Sequence, residues 1–190
     1  MGVDRMSFAC VNRRDERYDL VVGIDPDREL NGVADLYVKE RKLEMRTLSF
    51  ADTIDWLLQK KRQMEAKGQS LIVIVEAGWL NHSNWHVYRG MSPQKCAAIG
   101  ASLGANQETG KKLCEMLKYF GIRHIQQKPL PLTIRFGRST VNKWSSQDGK
   151  ISHDDLAAFT GYTKRNNQEQ RDAALLAWQF AGLPIKYPFK

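Results

Sequence analysis

Two stretches of almost unbroken apolar residues, Leu20-Val21-Val22-Gly23-Ile24 and Leu71-Ile72-Val73-Ile74-Val75, each end on a carboxylate, Asp25 and Glu76. Continuous apolar runs of this length predict strands buried on both faces. Between them, Val33–Val38 and Leu43–Leu48 predict two more strands, joined by the charged turn Lys39-Glu40-Arg41-Lys42. Pro26 and Asn31-Gly32 punctuate the link from the first strand to the second, so the first three strands predict an antiparallel meander. Ser49-Phe50-Ala51-Asp52 has the spacing of a capping box and opens a helix of about 18 residues. That helix carries Ile54, Leu57, Leu58 and Met64 on its apolar side, with Lys60, Lys61 and Arg62 largely outside, and Gly68 ends it. A helix between strands implies a crossover, so the 71–76 strand is expected parallel to the first.

Residues 77–92 read as a polar and aromatic loop. Ser92-Pro93 starts a helix running to about Tyr119, in which Gly100 and Gly104 mark a kink or close packing. Ile122–Gln127 predicts the last strand, 128–151 an irregular basic stretch, and Ser152-His153-Asp154-Asp155 a second capping box opening a helix to about Thr160. A final helix is expected over 168–182. The order β-β-β-α-β-α-β-α-α predicts an α/β fold with a mixed five-stranded sheet, three antiparallel strands plus two parallel, flanked by helices. Residues 1–18 are expected as a flexible lead-in and 19–190 as a single domain.

The 190 residues are 42% hydrophobic and 26% charged, ordinary for a globular protein with a sizeable core. The formal net charge of +8 favours a polyanionic partner, of which nucleic acid is the commonest. Three cysteines (Cys10, Cys96, Cys114) without a CxxC pair argue against a disulfide framework or zinc ribbon. They fit a reducing cytoplasm, as does an N-terminus without a signal-peptide core. No apolar run is long enough for a membrane span.

Strand-end carboxylates are costly if buried unpaired, and a hard cation with oxygen ligands offsets that cost. Glu169 and Asp172 open the last helical pattern three residues apart, hence on one face. Two strand ends and one helix face delivering acids to one point is the layout of a metal-dependent phosphoryl-transfer site. Singly, each acid is equally well explained as a solvated strand end or a helix N-terminal turn favoured by the dipole.

Gly23-Ile24-Asp25-Pro26 followed by Asn31-Gly32-Val33-Ala34, the strand ending in Glu76, and Glu169-x-x-Asp172-Ala173-Ala174-Leu175 together resemble RuvC-type Holliday junction resolvases of the RNase H-like superfamily, over about residues 19–182. The resemblance implies an RNase H-like fold and a Mg²⁺-dependent, structure-specific endonuclease acting on branched DNA as a homodimer through the 93–119 helix, without a small-molecule cofactor. It implies a catalytic and metal-binding tetrad of Asp25, Glu76, Glu169 and Asp172. Asp25 would bridge two Mg²⁺ or Mn²⁺ ions, Glu76 would complete one site, and Glu169 with Asp172 the other. It places Trp79, three residues after the strand Glu, near the DNA branch point, and Lys150 of Gly149-Lys150 by the phosphate, where its charge could offset what builds there. Asp27 stands where the family has Gly, and Asp154 and Asp155 where basic residues occur.

Lys150, Arg135, Arg138, Lys143, Lys164 and Arg165 precede the acidic helix and are expected to contact backbone phosphates. Trp79, Trp85 and Tyr88 could stack on exposed bases, and Trp85 or Tyr88 could equally serve as core. His82 and His86 lack a third ligand for zinc, and Gly104…Gly110-Lys111-Lys112 lacks the glycine spacing and Ser/Thr of a phosphate loop. Three alternatives stay open: an RNase H-like nuclease on other DNA or RNA, a non-catalytic nucleic-acid-binding module, and a sugar-kinase-like ATPase. The last normally needs a duplicated domain and Gly-rich phosphate turns.

Overall fold

The structure is a computed structural model, and it describes residues 17–81, 90–136 and 139–188. Its elements are β1 (Leu20–Asp25), β2 (Asn31–Tyr37), β3 (Lys42–Leu48), α1 (Phe50–Ala66), β4 (Leu71–Glu76), α2 (Pro93–Tyr119), β5 (His124–Gln127), β6 (Thr133–Phe136), β7 (Ser139–Asn142), α3 (His153–Thr160) and α4 (Gln168–Phe180). The main sheet has the order β3-β2-β1-β4-β5. β1, β2 and β3 pair antiparallel, while β4 and β5 extend the sheet in parallel from β1. Among the described residues, four helices flank this mixed five-stranded sheet.

Side chains alternate across a strand, so each strand of this sheet feeds two cores. Leu20, Val22 and Ile24 of β1 join Val73 and Val75 of β4 against α1 and α2. Val21 of β1, Ala34 and Leu36 of β2, and Ile72 and Ile74 of β4 face the other way, against Ala173, Ala174 and Ala177 of α4. The same alternation sends Gly23 and Asp25, and Glu76, towards α4. The helix lies very close: a Cβ added at Gly23 would strike the Ala173 carbonyl, and one at Gly32 the Glu169 carbonyl. Only glycine at these two positions lets α4 reach the sheet.

Three expectations are corrected. The stretch 128–151 is not irregular throughout: β6 and β7 form a separate antiparallel hairpin. Two four-residue strands are too short for alternation to declare itself. Lys60 does not lie outside. It is 6% exposed, its ammonium accepted by the Tyr37 hydroxyl at 2.8 Å and 3.5 Å from the fully buried Asp35. Asp35 also meets Arg46 at 3.2 Å and accepts from Trp56 Nε1, while the Arg46 guanidinium lies 3.7 Å from the Trp56 ring centroid. Burial nevertheless holds the Asp35 carboxyl above its ordinary range, against the pull of both cations. Among the described residues, a Cβ added at Gly100 or Gly104 would meet nothing within 4 Å, and the close approach on α2 is instead at Gly110, against Trp79 and Pro26.

Smaller differences concern ends. β2 starts at Asn31, β5 at His124, and α4 stops at Phe180. Ser49 caps α1 by accepting from the Asp52 amide, and Ser152 with Asp155 forms a complete capping box on α3. The Tyr18 ring packs 6.2 Å from Phe180, so the described end of the lead-in is attached to the core. Cys10 lies outside the described residues, and Cys96 and Cys114 are free thiols. No helix among the described residues is long and apolar enough to cross a membrane.

Candidate active site

Ile24 pairs with Val75 in parallel register, so Asp25 and Glu76 leave the sheet side by side at the carboxyl ends of adjacent strands. Asp25 also pairs with Gly32, over which the Glu169 backbone rests. One helical turn on, Asp172 faces the same strand ends. Alternation, the parallel crossover and two glycines therefore bring Glu76, Glu169 and Asp172 near enough to Asp25 for their charges to act on it.

The charges of Glu76, Asp172 and Glu169 all act on Asp25. Asp25 is held well above the usual carboxylate range, first by burial, then by the charges of Glu76, Asp172 and Glu169, with Lys150 opposing. Burial, with the Asp172 charge, pushes Glu76 up to about 7, again against Lys150. Asp172 is raised by burial. A hydrogen bond from Gln168 Nε2 at 2.8 Å, together with the Lys150 and Arg171 charges, limits the rise. Asp25, Glu76 and Asp172 are all partly exposed, and Glu76 and Asp172 line a cleft.

The neighbouring loops are tightly bonded. In the turn after β1, the Asp27 amide donates to Asn31 Oδ1, and Asn31 Nδ2, fully buried, donates to Thr53. Asp27 Oδ2 accepts from Asn106 Nδ2 at 2.9 Å, fastening this turn to α2. Asp27 thus has a local structural role at the place where the sequence comparison has glycine. Asp155, likewise unexpected there, accepts at one oxygen from the amides and hydroxyls of both Ser145 and Ser152. Burial alone would raise its carboxyl, and those bonds hold it below the ordinary range. Ser146 Oγ donates to the Lys150 carbonyl and Asp148 accepts from the Lys150 amide. Arg171 donates to the Ile151 carbonyl, to Asn166 and to Gln168. The loop that carries Lys150 is thereby anchored to α4, and Gln168 is aimed at Asp172. Gln168 and Arg171 were missed by sequence reasoning. The i,i+4 spacing of Gln168 and Asp172 was a usable signal, but Arg171 bonds to a loop twenty residues away.

The cleft has a volume of about 770 Å³, and Glu76, Asp172, Lys150 and Lys143 line it. Lys143 is partly buried, which lowers its ammonium from the ordinary value. Arg135 is exposed on β6, and Lys164 and Arg165 are exposed in the α3–α4 connection. Arg138, His82, Trp85, His86 and Tyr88 lie outside the described residues. Trp79 sits just beyond β4 in a 3₁₀ turn, Gly78–Leu80, its ring on Gly110 and its Nε1 donating to Gln126 at 3.3 Å.

The acids supply oxygen donors only, the set a hard divalent cation prefers. Among the described residues, no three acidic, histidine or cysteine side chains close on a common point as they stand. A bound cation would relieve the raised carboxyls of Asp25, Glu76 and Asp172.

No family model matches this sequence, and no curated protein matches it. Among solved structures, T. thermophilus RuvC in complex with Holliday junction substrate is similar at 13% identity, covering 86% of this chain and 94% of that one, with a TM-score of 0.41.

Proposed function

We propose that the protein is a metal-dependent endonuclease that hydrolyses phosphodiester bonds in branched DNA. One observation carries the reading: burial and the charges of Glu76, Asp172 and Glu169 together raise the Asp25 carboxyl, with Lys150 as the opposing cation, and Glu76, Asp172 and Lys150 line one cleft. An acidic cluster of that kind is hard to sustain in a merely structural role. The four acids would hold Mg²⁺ or Mn²⁺, one ion or two, which when bound supplies charge neutralisation and an activated water. Lys150 would sit against the phosphate and offset negative charge developing there. As the water oxygen bonds to phosphorus, the bond to the leaving sugar oxygen breaks, and the water's proton ends on that oxygen. Arg171 and Gln168 keep Asp172 and the Lys150 loop in place throughout.

Lys143 lies in the cleft, and Arg135, Arg138, Lys164 and Arg165 would hold the backbone phosphates. Trp79 would form a fixed wall beside Pro26 at the branch point. The first half of α2, mostly exposed and bearing Gly100 and Gly104, would be the contact between two copies. A two-fold dimer suits a two-fold four-way junction. Cleavage of four-way, flap and linear DNA and of RNA–DNA hybrid, with sedimentation of the same samples, tests this. The reading expects a dimer that prefers the four-way substrate. A monomer that cuts linear and four-way DNA equally would overturn the junction assignment.

A further inference from the structure

Beyond the acids, the cleft continues along an apolar wall that hydrolysis does not need. Leu130 and Leu132 before β6, Leu175 of α4, and Ile185 and Tyr187 of the C-terminal segment form it, with Trp144 behind. The wall is rigid. The Tyr187 ring lies 5.2 Å from Trp144, Trp144 stacks on Phe159 at 6.1 Å, and Phe159 meets Trp178 edge-on at 5.7 Å. Trp178 Nε1 donates to the Pro184 carbonyl at 3.0 Å, tying the C-terminal segment to α4. Four aromatic rings in series thus run from the core to the half-buried Tyr187 at the cleft. Trp79 lies elsewhere, packed on Gly110 and bonded to Gln126.

We propose that this wall is a nucleobase subsite. It takes one unstacked base of the substrate strand, from a nucleotide next to the phosphate held at the acids. The inference rests on the nuclease reading above and names what that site selects. Three features identify the occupant. The wall is continuous with a floor lined by Glu76 and Asp172 and a mouth bearing Lys143 and Lys150, so a ligand must join an apolar plane to an anion. A nucleotide has that composition. The volume of about 770 Å³ lies within the range of roughly 300–1,000 Å³ typical of ligand clefts and exceeds what a phosphate alone would need. Gln107 and Gln179 border the same cleft and offer amide groups to a base edge. Aromatic stacking tolerates every base, so the subsite selects for unpaired structure more than for sequence, and a fully paired duplex could not fill it.

The test is a cycle between protein and DNA. Single-turnover cleavage is measured for wild type and Tyr187→Ala, on branched DNA with either an intact nucleotide or an abasic site next to the cut. Removing the base should slow the wild type roughly 5- to 150-fold, the range of one base–aromatic stack. Tyr187→Ala should slow cleavage of intact DNA by a similar factor and be indifferent to the abasic site. Additive effects, or no effect of the abasic site, would overturn the subsite while leaving the nuclease reading intact. A wild type that cleaves no nucleic acid would overturn both. Independently of cleavage, deoxyadenosine monophosphate with Mn²⁺ should quench tryptophan fluorescence saturably in wild type and Asp25→Asn, and much more weakly in Tyr187→Ala. Equal quenching in all three would count against the wall. Ile185→Ala, which leaves the aromatic series whole, should weaken nucleotide binding a few-fold while circular dichroism stays native. Unchanged binding in that variant would contradict the subsite.

Discussion

Replacing Glu76 by Gln should make the metal-free protein more stable at alkaline pH. The Glu76 carboxyl titrates near 7 in the folded chain, against an ordinary 4.5, because burial and the Asp172 charge disfavour its anion. The unfolded chain releases this proton near 4.5, while the native chain keeps it until about 7. In that window the native state binds more protons, so stability falls as pH rises and is level again above 7. The full difference corresponds to about 3 kcal/mol, and water at the cleft edge reduces it to roughly 1–3 kcal/mol. Glu76→Gln is nearly isosteric and removes the penalty. In EDTA at pH 8.5, urea denaturation should show it more stable than wild type by that amount, with a melting temperature higher by roughly 2–10 °C. Near pH 4.5 the two proteins should agree within about 0.5 kcal/mol. Millimolar Mn²⁺ should reverse the order, since the wild type gains more from binding. A variant less stable than wild type at pH 8.5, or a difference independent of pH, would refute the reasoning.

Other outcomes follow from particular contacts. Gly32→Ala should push the Glu169 backbone outwards and lower kcat by about 100-fold, as displacements near 1 Å at reacting groups do, while circular dichroism stays native. Lys60→Met should cost about 3 kcal/mol in denaturant titration by leaving the buried Asp35 short of a cation, whereas Lys61→Met should change stability by less than about 0.5 kcal/mol. Asp155→Ala removes four bonds from the loop carrying Lys150. Its kcat should fall more than its DNA affinity, measured by cleavage and by filter binding. DNA binding by wild type should weaken steeply with salt, and Lys143→Ala should lower the slope of log K against log salt by about one.

The sheet was legible because its signals are local. Continuous apolar runs marked β1 and β4 as doubly buried, and punctuation at Pro26 and Asn31-Gly32 marked the meander. The acids were legible for a related reason: a carboxylate ending a buried strand violates the pattern around it. What was not legible depends on partners distant in sequence. Lys60 looks solvated on its helix because Asp35 and Tyr37, which bury it, lie 25 and 23 residues away. The β6–β7 hairpin is too short to show a period. Gly100 and Gly104 read as a kink or close packing, but among the described residues the close approach on α2 is at Gly110, where the neighbour that decides is Trp79. Arg171 reads as an ordinary exposed helix arginine until the loop at Ile151 is folded against it. The apolar wall draws on Leu130, Trp144, Leu175 and Tyr187, which no sequence window contains together.

The central claim is that Asp25, Glu76, Glu169 and Asp172 form a metal-dependent nuclease site. Its most direct test is cleavage of a labelled four-way junction by wild type and Asp25→Asn, with Mg²⁺, Mn²⁺ or EDTA, alongside binding of the same DNA. Wild type should cleave with either metal and not in EDTA. Asp25→Asn should bind the junction within a few-fold of wild type and not cleave it. Cleavage that survives Asp25→Asn, or cleavage that persists in EDTA, would contradict the account.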